Sequence, residues 1–225
     1  MNPGIANNLW LFPTVPLAAA IVILALAKSR RKTAAVLAIA GQVTALATSI
    51  VALLATVQTH GFRAVHNFTW FTFGDQTLRL GFVLDPLGAA MLVMISLVGL
   101  CIFVFSVGYM ADDKDFTRFF AYLSFFSGAM LGLVIANSLL LLFVFWELVG
   151  LASYLLIGFW IERPSAAAAA KKAFITPALA TWDFFSACFG STPAAAHFSF
   201  TMAGTAALKA LISRCSALVP RLSRC

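Results

Sequence analysis

Between Asn8 and Ile161 the chain passes through five apolar stretches, each close to the 20 residues a helix needs to cross a bilayer. They occupy about residues 8–27, 33–57, 82–110, 119–136 and 138–161. Stretches this long and this poor in charge leave no polar face to wrap a water-soluble core. Charged residues make up 10% of the 225 and hydrophobic ones 62%, against about 25% charged in a soluble domain. The expected fold is an all-α polytopic membrane protein with about five transmembrane helices.

The net charge of +7 would suit a nucleic-acid partner if it formed a stripe with interleaved aromatics, and it does not. The basic residues sit instead in short clusters between apolar runs, where they set orientation. KSRRK at 28–32 follows the first run and marks an inner loop. Alternation then puts 58–81 outside and 111–118 and 162–172 inside. Lys114, Arg118, Arg163, Lys171 and Lys172 fit those inner loops; Asp112, Asp113 and Asp115 count little in this rule. The N-terminus is thus expected in the periplasm or its equivalent. MNPGIANNLW has no basic n-region, so a cleaved signal peptide is not expected.

The outer segment breaks the helical pattern. FTWFTF and LRLGFVL each alternate apolar and polar residues around GDQ, the pattern of a small β-hairpin. LDPL then starts the third run, with Asp85 as N-cap and Pro86 at the first helical position. Pro13 and Pro16 in the first run are tolerable where neighbouring helices satisfy the freed carbonyls. Cys101, Cys188, Cys215 and Cys225 show no metal or disulfide spacing, and Cys101 reads as a packing residue in an apolar run. No nucleophile–base pair or phosphate-binding glycine loop is present.

The fifth run, LLLLFVFWELVGLASYLLIGFW, carries one charge near its middle, Glu147. An acid at that depth costs about 2.5–3.5 kcal/mol on insertion scales. Such acids serve either as structural carboxylates paired with a neighbouring helix or as members of a proton relay. Gly150, Ser153, Tyr154 and Gly158 share its helical face, which favours the relay. A relay needs a partner charge at membrane depth, and the nearest are Lys171 and Lys172 at the inner mouth of the next segment.

FVLDPLGAAML, TRFFAYLSFF, FWELVGLASYLLIGFW and AAAAAKKAFIT together resemble the antiporter-like family that includes subunit L of bacterial NADH–quinone oxidoreductase (complex I) and Mrp-type cation/proton antiporters. The resemblance runs from the first helix to about Thr176. It implies that Glu147 lies on the fifth helix of a proton channel, tuned by a lysine on the seventh. Lys171 and Lys172 match the lysine-bearing start of the sixth helix, and Arg118 matches the basic residue of the R-F-F-A-Y motif. The implied parent has a dozen or more helices in two inverted repeats and couples quinone reduction to proton pumping in the bacterial inner membrane. Other membrane subunits would be its partners. NADH and quinone would be used by the parent complex, with no cofactor or metal on this chain. An antiporter subunit and a non-functional truncated fragment are the alternatives.

The organisation expected is two helices over 1–57, the hairpin over 58–81, three helices over 82–161, the start of a sixth over 162–176, and an irregular C-terminal tail over 177–225. That tail departs from the family pattern, which continues V-G-D-L-G. A shifted frame restores it: GCG TTG GCG ACC TGG GAT encodes ALATWD and, read from its third base, V-G-D-L-G. Wobble supplies part of this, but the single codon of Trp182 before Asp183 forces one glycine. Met202 before Ala203 forces another. A base lost near Thr176 and Pro177 would make the tail an out-of-frame translation.

Overall fold

The computed structural model describes residues 8–26, 30–58, 63–73 and 76–190. Within them the order is α1 (Leu11–Ala25), α2 (Arg31–Gln58), β1 (Ala64–Phe73), β2 (Gln76–Leu84), α3 (Pro86–Tyr109), α4 (Phe116–Ile135), α5 (Leu139–Ile157) and α6 (Pro164–Gly190). Helices α2 to α5 are each long and apolar enough to cross a membrane. The first run forms a shorter helix than its apolar length predicts. Fifteen residues rise about 22 Å, less than the roughly 30 Å hydrocarbon core. Its opening residues turn rather than coil. Pro13 falls in the first turn, where no N–H partner is needed. Pro16 removes one rung of the ladder, while the Thr14 hydroxyl donates to Trp10 O at 2.8 Å.

Helix α4 is the centre of the bundle, packed against α1, α2, α3 and α5. Small residues let it approach: a Cβ on Gly128 would stand 2.7 Å from Leu17 Cγ, and one on Gly132 would overlap the Phe145 ring. Two clusters fill the interior, one around Leu92, Leu131, Ile135 and Phe145 toward the hairpin. The other, around Ile23, Phe103, Phe120 and Phe159, lies toward the opposite end. Between them runs a polar seam. Gln42 donates to Ser96 O at 3.1 Å and accepts from Ser127 Oγ at 2.7 Å, and Ser49 and Ser96 hydroxyls lie 3.3 Å apart. The seam ties α2, α3 and α4 together. Outward faces carry Leu24, Val36, Leu54, Val98 and Phe105, all exposed, as a lipid-facing surface requires. Cys101 is also exposed on α3; the apolar run around it faces outward there, so it is not the packing residue expected.

The hairpin is antiparallel, pairing Ala64 with Leu84 and Phe73 with Gln76, and Trp70 bulges out of register between Thr69 and Phe71. Residues 82–84, counted with the third apolar run above, belong to β2; the helix waits for the cap at Asp85. The α4–α5 turn docks on β2. Asn137 N donates to Gly81 O at 2.9 Å, and its side-chain amide donates to Asn67 Oδ1 at 2.8 Å.

Helix α6 continues through Pro177 to Gly190, past the break expected after Thr176. Proline there costs one hydrogen bond, and the run Ala166–Ala170 has the strongest helix propensity available. The rest of the expected tail, residues 191–225, lies outside the described residues.

A cavity around Glu147

Ser138 caps α5, its hydroxyl accepting from Leu141 N at 3.2 Å. From that start, 3.6 residues per turn bring Glu147, Gly150 and Ser153 to one side of the helix. There they line a cavity of about 330 Å³. Trp146 and Val149 complete the α5 wall; Met130 and Leu133 of α4 and Ala173, Phe174, Pro177 and Ala178 of α6 form the others. Glu147 is half-buried. Its Oε1 is fully buried and receives no hydrogen bond from the described residues. Ser153, one and a half turns on, donates to Val149 O at 2.9 Å. A Cβ on Gly150 would meet no atom within 4 Å, so the space beside the acid is open. The arrangement suits a carboxyl group that exchanges a proton with small polar species entering the cavity.

The other expected residues fall as follows. Lys171 and Lys172 are exposed on α6 and are not among the residues lining the cavity, whose α6 wall starts at Ala173. Tyr154 is half-buried with its ring 5.7 Å from Phe174, at the edge of the cavity. Arg118 is exposed near the start of α4, with its Nε donating to Tyr122 OH at 2.7 Å and its guanidinium 5.4 Å from that ring's centroid. Asp85 accepts from Gly88 N at 2.6 Å as the N-cap of α3, far from Glu147 in the chain. Trp146 and Met130 were not singled out from sequence. Trp146 sits beside the acid in the chain, but nothing in the pattern separates it from the lipid-facing aromatics. Met130 reaches the cavity only through α4 packing.

Four helices long and apolar enough to cross a membrane, a hairpin at one end and a cavity lined by an acid define, among the described residues, a polytopic helical membrane protein. A family model described as "NADH-Ubiquinone oxidoreductase (complex I), chain 5 N-terminus" matches residues 70–120. One described as "NADH:quinone oxidoreductase/Mrp antiporter, TM" matches residues 136–216. The chain belongs to this NADH:quinone oxidoreductase/Mrp antiporter family. It is 43% identical over 174 residues to NAD(P)H-quinone oxidoreductase subunit 5, chloroplastic, of Cryptomeria japonica, a match covering 74% of this chain and 23% of that protein. It is 38% identical over 204 residues to NAD(P)H-quinone oxidoreductase chain 5 of Picosynechococcus sp., covering 87% of this chain and 30% of the relative. The chain thus spans about a quarter of the length of these relatives. Among solved structures, the Mrp complex from Dietzia sp. superposes with a TM-score of 0.68 at 25% identity, over 86% of this chain and 35% of that one. The archaeal membrane-bound sulfane sulfur reductase shares the fold alone, with a TM-score of 0.64 at 13% identity over 83% of this chain and 37% of its own.

Proposed function

We propose that the chain is the leading part of a proton-translocating membrane subunit of an NADH–quinone oxidoreductase, and that Glu147 is its proton-exchanging group. The observation that carries this is the buried Oε1 of Glu147, without a hydrogen bond from the described residues, on an acid that lines a cavity walled by three helices. An acid kept at membrane depth for structure alone would be expected to have a partner on a neighbouring helix. The identity to subunit 5 proteins supports the complex I assignment over other ion-coupled complexes. In this reading the subunit sits in a bacterial inner membrane with its N-terminus outside and contacts other membrane subunits. NADH and quinone react elsewhere in the assembly. Lys171 and Lys172, exposed on α6 just before its cavity wall begins at Ala173, would serve as the relay's cations. Replacing the acid that matches Glu147 by glutamine in a full-length relative is expected to lower protons pumped per quinone reduced; unchanged pumping removes it from the relay.

A second reading, a subunit of a Mrp-type cation/proton antiporter, draws on the Dietzia structure. Genes for the other complex I subunits beside this one would favour the first reading, and genes for antiporter subunits the second. The residues after Thr176 carry a separate proposal, a lost base and an out-of-frame tail, which rests on the forced glycines at Trp182–Asp183 and Met202–Ala203. The family match to residue 216 runs past that point. Sequencing the locus through codons 170–205 decides the matter; DNA whose other frames do not encode V-G-D-L-G ends the proposal. With such a tail the chain alone would be a non-transporting membrane fragment.

A further inference from the structure

Helix α6 makes its extensive contacts with α5. The two helices come together near their common end, where a Cβ on Gly158 would stand 3.2 Å from Ala170 Cβ. The cavity opens between them one to three turns further on. Residues 158–163 form the turn that joins α5 to α6 at that end, their hinge. That hinge is held from the loop between α3 and α4. Trp160 Nε1 donates to Asp113 Oδ2 at 2.9 Å. Asp113 Oδ1 accepts from Asp115 N at 2.8 Å, fixing the carboxylate within its own loop. The loop is tied in turn to α2, since Arg31 donates to Ala111 O at 2.9 Å. On the hinge side, the Arg163 guanidinium lies 5.5 Å from the Trp160 ring centroid, and Phe159 meets Phe119 edge-on at 5.5 Å.

We infer that Asp113 and Trp160 are positioning residues for the Glu147 cavity: their hydrogen bond clasps the α5–α6 hinge and sets how far α6 stands from the acid. The inference rests on the cavity being the working site, but its test measures access to the cavity rather than proton movement.

The 225-residue chain is reconstituted in vesicles with Cys101, Cys188, Cys215 and Cys225 replaced by serine, and a reporter thiol is introduced as Gly150→Cys. Its rate of reaction with a small charged methanethiosulfonate is followed with and without Trp160→Phe, which keeps an aromatic ring and removes the donor, and Asp113→Ala, which removes the acceptor. Each is expected to shift the rate at least threefold, and the double variant no further than one alone. A second reporter, Ser96→Cys in the buried seam, stays protected throughout. Rates at Gly150→Cys that do not move, that multiply in the double variant, or that move together with Ser96→Cys would overturn the clasp.

Discussion

Gln42 shows how much one buried side chain can organise. It is 1% exposed and bonds α3 through Ser96 and α4 through Ser127. A Cβ on Gly99 would overlap its amide. Interhelical hydrogen bonds in membranes contribute about 0.6–2 kcal/mol each. Gln42→Leu is therefore expected to lower stability by about 1–2 kcal/mol in micellar unfolding, with Ser127→Ala costing less; equal stability of Gln42→Leu and the parent would show the seam to be incidental. Glu147 is the opposite case, half-buried and with no hydrogen bond to its Oε1 from the described residues. Its oddity was legible in the sequence because an acid in an apolar run has few explanations. Gln42 was not, because an uncharged amide in an Ala-rich run carries no comparable signal, and its role appears only when α3 and α4 close around it. Trp146 offers a local probe. In a variant keeping only that tryptophan, its emission is expected to titrate with pH, and the titration to disappear in Glu147→Gln; an identical curve in both would separate the indole from the acid.

At the scale of elements, the helices were the legible part. Apolar length found α2 to α5 within a few residues, and Asp85–Pro86 marked the start of α3 by a cap that the structure shows. Removing that cap, Asp85→Ala, is expected to cost about 1 kcal/mol while leaving the Gly150→Cys reaction rate unchanged. Boundaries failed where local chemistry competed with hydropathy. Residues 82–84 are as apolar as a helix but pair with β1, and α1 ends short. Packing between elements was not legible at all. Gly132 reads as one more small residue, yet it is where Phe145 of α5 crosses α4. Gly132→Ala overpacks that crossing and is expected to cost about 1–3 kcal/mol, measured by thermal unfolding. A neutral result would mean that the ring moves aside at no cost.

At the scale of the whole molecule, α4 holds two kinds of interior against one another. Its α2–α3 side is a hydrogen-bonded polar seam, and its α5 side is a cavity lined by an acid whose Oε1 receives no hydrogen bond from the described residues. Among the described residues Ser124 Oγ and Asn137 Oδ1 are also buried without a hydrogen bond, but Glu147 is the ionisable group of the three and the one that lines the cavity. The clasp through Asp113 and Trp160 places control of the cavity at the far end of α5. Nothing in the sequence pairs those two residues, since the contact joins positions far apart in the chain. The central claim is that Glu147 exchanges the proton, and its most direct test is proton pumping by a full-length relative assembled in its complex. With the matching acid changed to glutamine and quinone reduction still running, the ratio of protons pumped to quinone reduced should fall. A ratio equal to that of the parent would contradict the account.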